Sequence, residues 1–336
     1  MNQTVPIISA PPWTTDLEEG AEPDGGAELR EWHVPAELHG SRLDRALTLL
    51  VPEFSRSYLQ QLIEQGAVTS GDRALLKASA KVRAGDLGQI LLHATPQSQA
   101  FRPETMPLDV AFEDEHLCIV NKPAGLVVHP APGNWSGTLL NGLLARDPGA
   151  VFLPRAGIVH RLDKDTSGLM VVARTRGVMD ALVGMIARRE VSRQYVALGH
   201  NPWVGARQRD VDAPIGRDPR NRLRMAIVDL EKNAGKPART GFLLLQNHEQ
   251  ACWVQCRLDT GRTHQIRVHM ASLGHPLVAD ALYGGKPAAG LVRQALHACR
   301  LSFAHPVTGH AMDFTAPLPA DLAQALQALG LSYNPS

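Results

Sequence analysis

The segment His160-Arg161-Leu162-Asp163-Lys164-Asp165-Thr166-Ser167-Gly168 concentrates groups that can do chemistry. It sits between an extended Gly157-Ile158-Val159 and an apolar Leu169-Met170-Val171-Val172-Ala173. Two carboxylates, two bases, Thr166, Ser167 and Gly168 lie between them. A polar cluster between apolar strands is where a rigid scaffold presents a functional loop. Asp163 and Asp165 stand two apart, and Thr166 and Ser167 offer Asp165 local partners. Paired acid–base work by the two is therefore not expected. One carboxylate faces a cleft and the other caps the turn. On local chemistry alone, Asp163 serves equally well as a turn residue bonding its own backbone.

A partner for a carboxylate lies in Asp259-Thr260-Gly261-Arg262-Thr263-His264-Gln265-Ile266-Arg267-Val268-His269-Met270. Arg262 falls in a glycine-containing turn between a strand and a helix. A guanidinium can grip a carboxylate through two N–H groups and keep it ionised. Arg262 and Arg267 serve equally well as phosphate contacts or surface charges. A third segment, Asn121-Lys122-Pro123-Ala124-Gly125-Leu126-Val127-Val128-His129-Pro130, has the same mixed character.

Other chemistries lack their residues. The 14 histidines show no H-E-x-x-H spacing, and His264 and His269, five apart, splay on a helix. No metal is expected. A P-loop and a G-x-G-x-x-G fingerprint are absent, so no nucleotide cofactor is implied, and no G-x-S-x-G elbow marks a hydrolase. The four cysteines form no C-x-x-C pair. Cys252 and Cys256 are about 13 Å apart along a strand, too far for a disulfide. They read as buried thiols in a reducing cytoplasm. A carboxylate-dependent glycosidase would need a second catalytic carboxyl roughly 5–9.5 Å away, and no convincing candidate accompanies the three segments.

Short strands and helices frame these residues in the chain. Strands are expected at Leu117–Asn121, Leu169–Ala173, Val191–Leu198 and Ala251–Leu258. Helices are expected at Gly177–Arg189, Gln265–Leu273 and Asp321–Leu329. They do not alternate regularly, which points to a mixed α+β body with a largely antiparallel sheet and a central cleft over 108–330. Residues 95–107 contain Pro96, Pro103 and Pro107 and read as a linker. Ahead of it, helical spacing in Leu43, Ala46, Leu47 and Leu50, with Ser41 as N-cap, predicts one helix. A second runs from Ser55 to Gly66. A hairpin at Gly71-Asp72 and a closing strand over Val82–Leu92 complete a small basic α+β module spanning 40–94. Residues 1–30 are acidic and rich in Pro, Gly and Ala, and read as a disordered leader.

Net charge is +1, but it is unevenly spread. Residues 1–40 hold eight acids against Arg30 alone, while 155–224 hold fourteen Lys and Arg against seven acids. A basic body suits a polyanionic partner such as nucleic acid. No apolar run approaches the roughly 18–20 residues that span a bilayer, and Met1–Trp13 does not read as a secretory signal. A cytoplasmic protein without a membrane partner is expected. The absence of an unexplained apolar stripe points to a monomer.

Two resemblances follow. Ser41-Arg42-Leu43-Asp44, Ser55-Arg56, Ile63-Glu64-Gln65-Gly66-Ala67-Val68 and Lys81-Val82-Arg83-Ala84-Gly85-Asp86 resemble, in order and spacing, an S4 RNA-binding domain. The segment from His160 to Gly168 resembles the signature of the RluA-type pseudouridine synthases, and Asn121–Gly125 and Thr260–Arg267 match that family's other two motifs. Ser192-Arg193-Gln194-Tyr195, His275-Pro276-Leu277-Val278-Ala279-Asp280 with Tyr283-Gly284-Gly285, and Gln294–Ala298 fit as well, so the match covers about residues 40–325.

The resemblance implies conversion of uridine to pseudouridine in structured RNA without a cofactor, with a stem-loop of bacterial large-subunit ribosomal RNA as target or, alternatively, transfer RNA. By the same resemblance Asp163 is the nucleophile and Arg262 pairs with it. Tyr195 packs on the base and can help remove its proton. Ile266 lines the pocket, with His160 and Leu162 also at the substrate. Arg161 fills the gap left by the flipped uridine. A rival reading is a non-catalytic S4-type ribosome-assembly protein, which has no use for Asp163.

Overall fold

The computed structural model describes residues 28–92 and 100–333, apart from 53, 55, 72 and 132. Contacts divide the chain into two units at Thr95/Pro96.

In the first unit, β1 (Glu28–His33), α1 (Leu43–Leu50), α2 (Arg56–Glu64), β2 (Val68–Ser70), β3 (Arg73–Ala74) and β4 (Leu87–Leu92) form a four-stranded antiparallel sheet with two helices against it. The helical spacing places Leu43, Ala46, Leu47, Leu59, Leu62 and Ile63 in one core with Trp32, Val68 and Ile90. Ser41 is not the N-cap. Arg42 holds that position in extended geometry, with no side-chain capping bond. Its guanidinium turns instead to the fully buried Asp44 at 3.1 Å. Arg56 at 2.8 Å and Gln60 at 2.7 Å donate to the same carboxylate. The Arg42 hydrogen bond is the largest influence, and together these donors hold the Asp44 carboxyl well below the usual carboxylate range.

The leader expected to be disordered through residue 30 enters a strand two residues earlier, because Glu28–His33 pairs along β4 and buries Trp32. The acidic composition hides the alternation that makes this strand. The rest of that leader lies outside the described residues.

The second unit contains β5 (Val110–Glu113), β6 (Leu117–Lys122), α3 (Leu139–Arg146), β7 (Ser167–Ala173), α4 (Arg176–Ala187), β8 (Ser192–His200), β9 (Gln208–Asp212), β10 (Ile215–Asp218), β11 (Asn221–Ile227), β12 (Gly235–Lys236), β13 (Arg239–Asn247), β14 (Ala251–Leu258), α5 (Gln265–Ser272), β15 (Leu296–Ala304), β16 (Ala311–Thr315) and α6 (Ala320–Ala328). The large sheet runs β5-β6-β7-β15-β8-β14-β13-β9, with β16 also on β15. It is a mixed α+β architecture. The β7–β15 pair is parallel and the other pairs of this sheet are antiparallel. A small sheet, β11-β10-β12, stands apart.

All seven residues of β7 are buried, as its unbroken apolar run requires of a central strand. Its entry at Gly168 has φ +115°, and a Cβ there would meet the Ala298 carbonyl oxygen at 2.2 Å. Only glycine lets β7 lie against β15 at this point. Residues 100–104, expected in a linker, are docked: Asn141 Nδ2 donates to the Arg102 carbonyl at 2.8 Å, and the Glu104 N–H donates to the Asn141 carbonyl at 3.0 Å. Among the described residues, no helix is long and apolar enough to cross a membrane.

Candidate active site

The loop carrying Asp163 is held from three sides before any substrate is considered. From within, the Thr166 N–H closes a turn on the Asp163 carbonyl at 3.1 Å. From the β6 end, Lys122 is fully buried and its Nζ donates to the carbonyls of Pro123, Leu126 and Lys164 at 2.8–2.9 Å. The Gly125 N–H also donates to the Lys164 carbonyl at 2.9 Å. Two of these bonds land on the residue after Asp163. Burial pushes the Lys122 pKa down to about 7, while three carbonyls match the three N–H groups of an ammonium. From the β15 side, Arg293 Nη1 donates to the Asp165 carbonyl at 2.9 Å and is itself gripped by Asp321. Such a shell keeps a reacting group in fixed geometry.

Asp163 is mostly buried, its side chain 16% exposed. The arginine on it is Arg267, not Arg262: Arg267 Nη1 donates to Asp163 Oδ2 at 3.1 Å. Arg262 Nε instead donates to the Pro237 carbonyl at 3.0 Å. The cause is the turn into α5. His264 adopts a left-handed conformation (φ +57°, ψ 21°) and the helix starts at Gln265. The residues before it stay in the turn, while every residue from Gln265 to Met270 is buried. Gln265 locks that turn, accepting from the Arg262 N–H at 3.0 Å and donating to the Arg239 carbonyl at 2.9 Å.

Arg267 is in turn held by Asp280, through Nε at 2.7 Å and Nη2 at 2.8 Å. The Asp280 side chain is 1% exposed. Burial opposes the guanidinium charge, but Asp280 and Asp163 outweigh it and keep the Arg267 pKa above the ordinary arginine value. The result is a carboxylate–guanidinium–carboxylate chain with one end, Asp163, reaching toward solvent.

Tyr195, Leu162 and Ile266 are buried in one apolar cluster with Met170 and Met270. Burial pushes the Tyr195 phenol up to about 12, with the nearby Asp163 charge adding to this. At neutral pH it offers a ring and an O–H, not a phenolate base. Arg161 is exposed. His160 turns away from the role expected of it at the substrate, because its Nε2 accepts the Val171 N–H at 3.1 Å and so satisfies a backbone amide of β7. Lys122, His264, Asp280 and Tyr283 all stand in the quoted motifs, yet only the structure shows what they touch.

Burial pulls three histidines of this region to low pKa: His160 to about 3, and His129 and His297 to about 4. His129 Nε2, His160 Nδ1 and His297 Nε2 are buried without a hydrogen-bond partner among the described residues. Below the unfolded value near 6.5 the unfolded chain takes up three protons that the folded chain refuses. Stability is therefore present above that value and is lost as pH falls toward 4. Urea melts between pH 5.5 and 4.5 should show a fall of about 4 kcal/mol per pH unit from these three groups. A flat profile there would show that the rings are charged in the folded state.

Residues 116–272 match the RNA pseudouridylate synthase family. The ribosomal large subunit pseudouridine synthase D of Neisseria meningitidis serogroup B is 48% identical over 311 residues, covering 89% of this chain and 81% of that protein. The protein of the same name from Escherichia coli is 42% identical over 311 residues, covering 88% and 92%. Among solved structures, human RNA pseudouridylate synthase domain containing 1 aligns with a TM-score of 0.50 at 26% identity, over 68% of this chain and 97% of that one. The chain belongs to the RluA-type family of RNA pseudouridine synthases.

Proposed function

We propose that the protein isomerises uridine to pseudouridine in large-subunit ribosomal RNA, with Asp163 as the nucleophile toward a flipped-out uridine. The observation that carries this is the Asp163–Arg267 pair beside the cluster of Tyr195, Leu162 and Ile266. A carboxylate can add covalently to the substrate and leave again, splitting one hard step into two. The C1′–N1 bond breaks, the C1′–C5 bond forms, C5 loses a proton and N1 gains one. No electrons are gained or lost, so the reaction needs no redox partner. Arg267 keeps the carboxylate oriented, and the Tyr195 ring is a stacking surface for a pyrimidine. Exposed Arg161 occupies the space the base vacates.

The large-subunit target rests on the relatives of that name. The first unit supports RNA binding in a way that does not read sequence. Arg42 and Arg56 are about half exposed (46% and 52%) and are aimed by the buried Asp44. Guanidiniums so held suit phosphate contacts, which position a protein on RNA. The enzyme acts on this reading as a cytoplasmic monomer, and four free, buried cysteines fit a reducing compartment.

The test is to map pseudouridines in ribosomal RNA from cells with and without the protein. Loss of defined large-subunit positions is expected. Loss confined to transfer RNA would move the target, and an unchanged map would refute the function. Removal of residues 28–92 should weaken modification of whole ribosomal RNA, while the second unit still reacts on a small stem-loop. Equal activity of truncated and intact protein on whole RNA would remove the role given to the first unit.

A further inference from the structure

Three hydrogen-bonding groups form a line that ends at Asp163. The Met225 N–H of β11 donates to the Tyr283 hydroxyl oxygen at 3.0 Å. That oxygen lies 2.8 Å from His264 Nδ1. His264 Nε2 lies 3.9 Å from Asp163 Oδ1. A backbone amide can only donate, so the phenol oxygen accepts from Met225 and keeps one proton that it can give to His264. With the phenol proton directed to Nδ1, a neutral imidazole carries its own proton on Nε2, the nitrogen that faces the carboxylate. Burial, the largest influence, holds the His264 pKa below its ordinary value. The charges acting on the ring are those of Asp163 and Arg161 in the loop, Arg267 on α5 and Asp280.

The backbone at His264 is left-handed, as it is at six other non-glycine positions among the described residues. Its φ of +57° is unusual for a residue other than glycine, and its side chain makes no capping bond to the helix it begins. The Arg267 guanidinium lies over the Tyr283 ring, 5.0 Å from its centre. The arginine on Asp163 Oδ2 thus packs on the phenol that meets the imidazole.

We propose that His264 is a positioning residue for the nucleophile: its Nε2–H, fixed by Tyr283 and Met225, closes onto Asp163 Oδ1 when RNA fills the site. Arg267 and His264 then hold one carboxylate oxygen each. Catalytic hydrogen bonds are often long in the free enzyme and tighten in the complex. A donor on each oxygen fixes the carboxylate plane and stabilises its charge when the bond to the substrate breaks. This inference rests on Asp163 being the nucleophile.

The test uses the full chain. Nitrogen-15 NMR of histidine-labelled protein at pH 7 should show His264 neutral with its proton on Nε2. A proton on Nδ1, or an imidazolium, would overturn the proposal. Tyr283→Phe should abolish that preference, and an unchanged tautomer in this variant would overturn the lock. In single-turnover assays on a ribosomal RNA fragment, His264→Ala should slow the reaction about tenfold or more with RNA affinity unchanged. His264→Gln, whose amide N–H can reach the Nε2 position, should recover most of that rate. Alanine at the wild-type rate, or glutamine as slow as alanine with both variants folded, would overturn it. Asp163→Asn run alongside separates the two claims. If it is inactive while His264→Ala is normal, only the role of His264 falls. If it is active, the nucleophile falls and His264 with it.

Discussion

Asp163→Asn should lower single-turnover pseudouridine formation by about four orders of magnitude or more, as loss of a covalent nucleophile does elsewhere. An amide has no anionic oxygen to add to the substrate, and among the described residues no other carboxylate is placed to substitute. Asp280 is 1% exposed and already spent on Arg267, and Asp165 is held by its backbone to Arg293. The fold should survive. The Asp163 turn is closed by its carbonyl, not its side chain, and Arg267 retains the two bonds to Asp280. RNA affinity and the melting temperature are therefore the controls, and both should stay near wild type. Full product from the variant would refute the covalent role.

Arg267→Met should be damaging in a different way. The guanidinium side chain is 8% exposed and pairs with two carboxylates, one of them fully enclosed. Removing one member of a buried ionic group leaves uncompensated charge and costs about 3–5 kcal/mol. The rate should collapse as well, because Asp163 loses the donor on Oδ2. Arg262→Ala is the informative contrast. Its guanidinium bonds a single carbonyl in an exposed turn, and such surface changes fall within about 0.5 kcal/mol. Urea melts and single-turnover rates on both variants separate the two arginines. Equal damage from the two would show that Arg262 reaches Asp163 in the working complex.

Much of the architecture was legible in the chain. The spacing of Leu43, Ala46, Leu47 and Leu50 gives α1 its observed limits, and Ala251–Leu258 is the strand the pattern requires. The loop of Asp163 was legible through its motif. The choice between Arg262 and Arg267 was not. A helix buried from Gln265 to Met270 has no polar face, so a charge within it looks like a surface charge until its enclosing partners are seen. Asp280 lies thirteen residues further on and meets Arg267 only through the fold. His160 misleads for a related reason. A histidine in a reactive-looking loop can be satisfying a strand amide, and sequence does not show which amides the sheet leaves to side chains. Prolines near residue 103 suggest a free linker, whereas Asn141 on α3 binds that backbone.

Isomerisation of uridine through C5 requires that carbon to lose its hydrogen, and release of that hydrogen reports the reaction itself. Large-subunit ribosomal RNA lacking the modification, labelled with tritium at uridine C5, would be incubated with the purified protein. Wild-type protein should release one tritium for each pseudouridine formed, and Asp163→Asn should release none above background. Absence of release by the wild type, or equal release by the two proteins, would contradict the function and the nucleophile respectively.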